Sequence, residues 1–320
     1  MSPPEVLTMG RVGVDVYPQQ VGVSLRHVET FGRYLGGSAT NVAVAAARLG
    51  RASAVITRTG DDPFGAFVHD ALREYGVDDS LVTAVPGRPT PVTFCEIRPP
   101  EDFPLYFYRD RAPDLELSPE ELDLAAVTRT RLFWATVTGL SAEPSLSAHL
   151  AAWQARGRAP HTVLDLDYRP MFWRDTALAR ERVRAALGHV TVAVGNLDEA
   201  EVATGTRDPY AACEALLAAG VELAIVKQGA AGVLGMTATE TVRVPPVPVE
   251  VVNGLGAGDA FGGALCHGLL GGWPLERTLR FANAAGAIVA GRLACAPAMP
   301  TVGEIEAALS THSEGGLTHA

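Results

Sequence analysis

The chain has 320 residues, 48% of them apolar and 19% charged, with a formal net charge of −10 and no Lys/Arg run, which argues against a nucleic-acid or anionic-membrane partner while leaving room for a small anion in a local site. Its four cysteines, Cys95, Cys213, Cys266 and Cys295, are scattered without a C-x-x-C pair, so a disulfide framework or zinc cluster is not expected and a reducing compartment fits better. No apolar run reaches the roughly 18 residues of a membrane span.

The opening stretch, MSPPEVLTMG, lacks the basic-then-apolar order of a secretory signal, and a cytoplasmic protein is expected. VLTMGRV reads as a strand. GGSATNVAVAAARLG then reads as a helix, because Val42, Ala43, Ala46 and Leu49 recur at helical spacing and Gly50 can end it. After the strand SAVITRTG comes DDPFGAFVHDALREYG, a helix with Asp62 as cap, Pro63 in the first turn and Gly76 as terminator. PVTFCEIRP and FPLYFYR are short strands that interrupt the strand–helix rhythm. With residues 12–35 they predict a small sheet outside the main layer, a lid lobe built from about 12–35 and 90–112.

The rhythm resumes with the strands RLFWATVT, HTVLDLD, VTVAVGN and LAIVKQG, each followed or preceded by Ala-rich helical runs. GVLGM and ETVRVPP read as a hairpin. Long helices are predicted near 257–270 and 274–290, a last one near 301–310, and a polar tail over 311–320. The alternation predicts one domain over 1–310, an α/β fold with a mostly parallel sheet covered by helices on both faces. Ligands of such a sheet lie beyond the carboxyl ends of its strands.

The stretch VVNGLGAGDAFGGAL carries the strongest chemical signal. It fails the dinucleotide pattern G-x-G-x-x-G, since Asp259 or Phe261 stands where a glycine is required, and no phosphate loop of the G-x-x-x-x-G-K-[ST] type exists. Gly256, Ala257 and Gly258 can nevertheless expose consecutive amides at a helix start, where amides and helix dipole favour phosphate. Asp259 follows in the first turn, placed to accept a hydroxyl proton, and the dipole is expected to lower its pKa. The residues alone leave two readings open: phosphate chemistry, or a glycine-rich turn with an acidic first-turn residue. The eight histidines are dispersed and suggest no zinc site.

GAGDAF resembles the signature of the PfkB, or ribokinase-like, carbohydrate kinases, and GGSATNVAVAAARLG resembles that family's sugar-site motif. VGNLDEAE and IVKQGAAG are similar to further family positions between them, in the family's order. The resemblance spans nearly the whole chain. It implies a ribokinase-like three-layer α/β/α sandwich with a small β lid, ATP as phosphoryl donor, and Mg2+. Three stretches, the one from GRVGVDVYPQQ into the sugar-site motif, PTPVTFCEI and PLYFYR, are similar to family members that act on a sugar acid. The implied acceptor is therefore the primary hydroxyl of a small sugar acid.

Carried over residue by residue, the resemblance makes Asp259 the general base and Gly256, Ala257 and Gly258 an anion hole. Asp15, Gly36, Gly37 and Asn41 match sugar contacts. A sugar carboxylate calls for a cation, for which Arg169 in DLDYRPMFW and Arg109 in YFYR are candidates, with Tyr106 and Tyr108 lining the same pocket or packing beneath the lid. For either arginine the alternative is a structural ion pair. Asn196 and Glu199 match the N-x-x-E element that organises magnesium through water, and their spacing equally suits a helix cap. Lys227, Gly229 and Asn283 match the nucleotide side, with Asn283 beside the adenine.

In one place the sequence departs from the family. Many relatives carry an aspartate and a threonine before the loop, and Asn253 and Gly254 replace them, which speaks against potassium activation. Relatives often pair through their lids, so a homodimer is expected. Three rivals stand beside the sugar-acid reading: a 2-keto-3-deoxygluconate or other sugar kinase, a nicotinamide-dependent oxidoreductase, and a sugar sensor that kept the fold.

Overall fold

The structure, a computed structural model, describes residues 3–100 and 102–315. In chain order the elements are β1 (Val6–Met9), β2 (Gly13–Pro18), β3 (Phe31–Gly36), α1 (Ser38–Arg48), β4 (Ser53–Gly60), α2 (Pro63–Glu74), β5 (Val77–Asp78), β6 (Val82–Val85), β7 (Val92–Cys95) and β8 (Leu105–Tyr108). They continue with α3 (Leu124–Arg129), β9 (Leu132–Thr136), α4 (Ser145–Arg156), β10 (Thr162–Asp165), α5 (Thr176–Leu187), β11 (Val192–Asn196), α6 (Leu197–Thr204), α7 (Pro209–Ala218), β12 (Leu223–Lys227), β13 (Val233–Met236), β14 (Thr241–Val244), α8 (Ala257–Leu270), α9 (Leu275–Ala290) and α10 (Val302–Gly315).

Strands that read as unbroken apolar runs form one large sheet in the order β14-β13-β12-β11-β10-β9-β1-β4-β5, with β6 also beside β4. Its pairings are parallel except for the β12–β13 and β13–β14 edge. Such a sheet is buried on both sides, and the side chains of β9 show how. Leu132 and Trp134 enter one core with α1, α2, α8, α9 and α10, while Phe133 and Ala135 enter the other with α3 to α7. The result is a three-layer α/β/α sandwich.

A second sheet has the order β3-β2-β7-β8. Only β2 and β7 pair in parallel; its outer pairs are antiparallel. Alternation gives it two different faces. Asp15, Thr93 and Phe107 share one face by register, and Tyr17, Cys95 and Leu105 continue it. The opposite face carries Phe31, Phe94, Tyr106 and Tyr108, and the Phe31 and Tyr108 rings both meet Phe94 edge-on.

Local signals behave as their chemistry requires. The Asp62 carboxylate caps α2 by accepting from the Gly65 amide at 2.7 Å, with Pro63 in the first turn. Two boundaries differ from the sequence reading. The helix α1 starts at Ser38, because Gly36 ends β3 and Gly37, with a positive φ of 105°, is the N-cap, and α10 runs to Gly315, so the described half of the expected polar tail is helical. Residues 316–320 of that tail lie outside the described residues. Among the described residues no helix is long and apolar enough to cross a membrane.

Candidate active site

Parallel pairing brings the carboxyl ends of β1, β10, β11 and β12 to one edge of the large sheet. Arg11 lies just past β1; Asp165 ends β10 and is followed by Asp167 and Arg169; Asn196 ends β11 in register with Lys227 at the end of β12. The inner face of the small sheet, through Asp15, Tyr17, Thr93 and Leu105, stands opposite. The loop 254–256 and the start of α8 close the third side of a cavity of about 200 Å³.

At that third side Gly256 is the N-cap of α8, with a left-handed φ of 82°. A side chain there would also press on Cys295, since a Cβ would lie 2.5 Å from its Sγ, so glycine is required twice over. No side chain caps the helix, which leaves the first-turn amides without a side-chain acceptor. Asp259 sits in that turn, and its carboxylate accepts from Asn41 Nδ2 at 2.8 Å. Burial pushes the Asp259 carboxyl up to about 7, with the like charge of Asp167 adding to it. The Asn41 hydrogen bond, Arg11 and Arg169 pull the other way. The sequence reading expected the helix dipole to lower this pKa; dehydration of the half-buried carboxylate outweighs a dipole of about half a charge.

Asp15 is raised to about 6, again by burial, against the pull of Arg11 and a hydrogen bond donated by the Tyr17 hydroxyl at 3.0 Å. Gly36, expected as a ligand contact, is absent from the cavity wall. Its missing side chain makes room for Asp15 instead, since a Cβ at 36 would lie 2.2 Å from the Asp15 carboxylate. Gly37 and Asn41 do line the wall.

Cations are interleaved with these acids. Lys227 is enclosed; burial alone would lower its pKa, but Glu199, Asp165, Asp259 and Asp167 together hold it above the ordinary lysine value. Its Nζ lies beside the start of α8, where a Cβ added to Gly258 would meet it at 3.1 Å. Arg169 spends its terminal nitrogens on Asp167 at 2.8 Å, Glu199 at 3.5 Å and the Tyr168 carbonyl at 3.1 Å. Asp167 feels burial first, yet Arg169, Arg11 and the Ser38 hydroxyl hold it below the usual carboxylate range. Asp165 goes the opposite way: burial raises it well above that range despite Lys227.

Two expected pocket residues lie elsewhere. Arg109 is tied to Asp114 at 2.9 Å and lies 4.5 Å over the Phe172 ring, so it is a structural ion pair and absent from the cavity wall. Tyr106 points outward and is 43% exposed, because the pleat turns Leu105 and Phe107 inward. Asn196 and Glu199 form a reciprocal capping box on α6, with Glu199 N donating to Asn196 Oδ1 at 2.9 Å and Asn196 N to Glu199 Oε2 at 2.7 Å. Both also line the cavity. Ala257, Gly229 and Asn283 are not part of the wall; Asn283 Nδ2 donates to the Pro245 carbonyl at 2.9 Å.

The sequence reading missed Arg11, Tyr17, Asp165, Asp167 and Cys295. For Arg11, Asp165 and Asp167 a signal existed: each is a charged residue at or just beyond the end of an apolar strand. Tyr17 and Cys295, which meet at 2.8 Å, gave none.

A cavity at the carboxyl edge of a doubly covered parallel sheet, with a half-buried aspartate and a lysine at one glycine-rich helix start, defines a phosphotransferase-type site. Comparison with known proteins agrees with that class. The family model described as pfkB family carbohydrate kinase matches residues 4–302, and the chain belongs to this family of carbohydrate kinases. Among curated proteins, the 5-dehydro-2-deoxygluconokinase of Photobacterium profundum is 34% identical over 93% of this chain and 92% of its own length. That of Geobacillus kaustophilus is 30% identical over 98% and 96%. Among solved structures, fructokinase with bound ATP from Xylella fastidiosa superposes with a TM-score of 0.82 at 27% identity, covering 97% of this chain and 99% of the other. An E. coli protein provisionally called ribokinase II, in complex with ATP and Mg2+, gives 0.87 at 25% identity, with 97% and 100% covered.

Proposed function

We propose that the protein transfers the γ-phosphoryl group of ATP to the primary O6 hydroxyl of 5-dehydro-2-deoxy-D-gluconate, giving the 6-phosphate and ADP, as a step of myo-inositol breakdown in the cytoplasm. The observation that carries the chemistry is the half-buried Asp259 carboxylate in the first turn of α8, bonded to Asn41 and raised to about 7. A base of that strength can take a hydroxyl proton near neutral pH. The names of the relatives carry the acceptor.

In this reading the ATP phosphates approach the first-turn amides at 256–258 and the Lys227 ammonium, which balance the charge of the transferring group. Gly229 and Asn283 lie on the adenine side, outside the cavity wall. Asp15, Gly37 and Asn41 orient the sugar hydroxyls, and Asp259 accepts the O6 proton as the bond to phosphorus forms. The small sheet acts as a lid that keeps water from competing as acceptor.

Mg2+, when bound, would offset the negative charge of the phosphates. Asn196 and Glu199 suit contact through water: among the described residues Glu199 Oε1 has only the 3.5 Å approach of Arg169, which leaves acceptor capacity at the wall. Asn253 supports activity without potassium, because its neutral amide is already committed to the Leu293 carbonyl and the Leu255 amide. The exposed aromatic face of Phe31, Tyr106 and Tyr108 supports a homodimer through the small sheet.

The test is a phosphorylation panel with purified protein, ATP and Mg2+. It offers 5-dehydro-2-deoxygluconate, 2-keto-3-deoxygluconate, fructose and ribose, and identifies each product by 31P and 13C NMR. The reading requires the first acid to win by kcat/KM and to carry phosphate on C6. A clear preference for another acceptor would displace it.

A further inference from the structure

Three cationic side chains line the cavity, and they differ in what they have already spent. Arg169 faces Asp167 and Glu199 with both terminal nitrogens, and Lys227 is ringed by four carboxylates. Arg11 is different. Among the described residues its guanidinium makes no hydrogen bond; its one ion pair is a long one, Nε to Asp167 at 3.8 Å, and Nε, like that of Arg169, is buried without a hydrogen-bond partner. Its side chain is only 11% exposed, so water cannot fully serve its five donors. A buried guanidinium with unspent donors is costly unless a ligand supplies the acceptors.

The surroundings fix where those donors sit. Arg11 follows β1, and its own carbonyl accepts from the Thr40 hydroxyl at 3.2 Å, which ties its backbone to the start of α1. Its guanidinium lies 5.6 Å over the inward-facing Phe107 ring of β8. It acts electrostatically on both Asp15 and Asp259, so it stands within the sugar side of the cavity. Asp15, Asp167 and Asp259 share its surroundings, yet among the described residues none of them accepts a hydrogen bond from its guanidinium, so its donors remain for a ligand.

We infer that Arg11 is the group that receives the carboxylate of the acceptor and thereby selects a sugar acid over a neutral sugar. The inference rests on the sugar-acid reading above and assigns the acid end to Arg11, with Arg169 acting as the ion-pair support of Asp167 and Glu199. A carboxylate can accept two parallel N–H bonds from a guanidinium, a geometry that lysine does not reproduce.

The experiment compares Arg11→Met and Arg11→Lys with the wild type. Each is assayed on the sugar acid and on the amide of the same acid, a neutral congener of nearly equal shape. The readout is the ratio of kcat/KM for acid over amide, together with calorimetric binding of the acid without nucleotide. Wild type should favour the acid strongly. Arg11→Met should lower that ratio at least about thirtyfold, the scale of removing one partner of a buried charge pair, and weaken acid binding in parallel. Arg11→Lys, which keeps the stem and the charge, should fall between. Thermal melts check that each variant is folded. A ratio that stays within about threefold of wild type in both variants, while the wild type still prefers the acid, overturns the assignment and leaves the sugar-acid reading standing. A wild type that does not favour the acid removes that reading and the assignment with it.

Discussion

The two sheets of the molecule use the same alternation of side chains for opposite ends. The large sheet is largely apolar on both faces, and the polar residues that it gives the cavity stand where the strands stop, at Asp165, Asn196 and Lys227. The small sheet is two-faced throughout. Its inner side brings Asp15, Tyr17 and Thr93 to the cavity, and its outer side shows Phe31, Tyr106 and Tyr108 to solvent. A soluble sheet ordinarily points its polar side at water. Here the polar side faces the cavity and the aromatic side faces out, which suits the proposed roles of covering a ligand and meeting a second copy. The large sheet supplies rigidity and the small one supplies enclosure, and enclosure is what raises Asp259 and Asp15 above their ordinary pKa values.

The sharpest way to break this division of labour is at the junction of the two sheets. Asp259→Asn keeps the shape and the Asn41 contact yet removes the base. It should lower kcat by about 10³-fold while calorimetry still detects sugar binding. A loss below about tenfold would show that the enclosed carboxylate is not the base. The same variant has a stability signature. A carboxyl whose folded pKa of about 7 lies above its ordinary value of 3.8 favours the folded state below the lower value, and that advantage is lost as pH rises through the upper one. Asp259→Asn should therefore melt at a higher temperature than wild type at pH 8, and the gap should close toward pH 4.

Arg109 separates folding from ligand binding. Its partner Asp114 is buried, and the two meet at 2.9 Å away from the cavity wall. Arg109→Met should cost about 3 kcal/mol of stability, because it strands a buried carboxylate, with KM for the sugar acid nearly unchanged. A large rise in KM without a loss of stability would return Arg109 to the pocket.

The pH profile reads the enclosure directly. Since Asp259 must be ionised to accept a proton, kcat/KM should be full above neutrality and fall as pH drops through about 7. By pH 5.5 it should be down about thirtyfold, given one decade per pH unit below the pKa. A midpoint near 4 would mean that the carboxylate is hydrated and the lid ineffective. The smallest effect on catalysis is expected on the outer face. Tyr108, 68% exposed, should yield a monomer by light scattering when changed to Glu, with kcat/KM within about threefold of wild type. A Tyr108→Glu protein with the mass of wild type would leave that face without its assigned partner.

Much of the large sheet was legible, because parallel strands buried on both sides write themselves as apolar runs such as LAIVK. Asp259 and Asn41 were legible too, through a glycine-rich loop and a helix start 218 residues apart, and the fold brings them within 2.8 Å. The small sheet was legible as strands but not as faces. Alternation in PLYFYR separates Leu105 and Phe107 from Tyr106 and Tyr108, yet nothing local says which pair meets water. The arginines illustrate the same limit. Arg109 and Arg11 carry identical chemistry, and what distinguishes them is Asp114 beside one and only a distant Asp167 beside the other. That is a tertiary fact. The raised Asp259 pKa was hidden for the same reason, since burial depends on what folds over the residue.

The account stands or falls on where the reacting atoms meet. A crystal structure with a non-hydrolysable ATP analogue, Mg2+ and the sugar acid measures this directly. The γ-phosphorus should lie against the first-turn amides of α8, with O6 in line and within hydrogen-bonding distance of Asp259. A closed complex holding both reactive ends away from residues 256–259 would contradict the account.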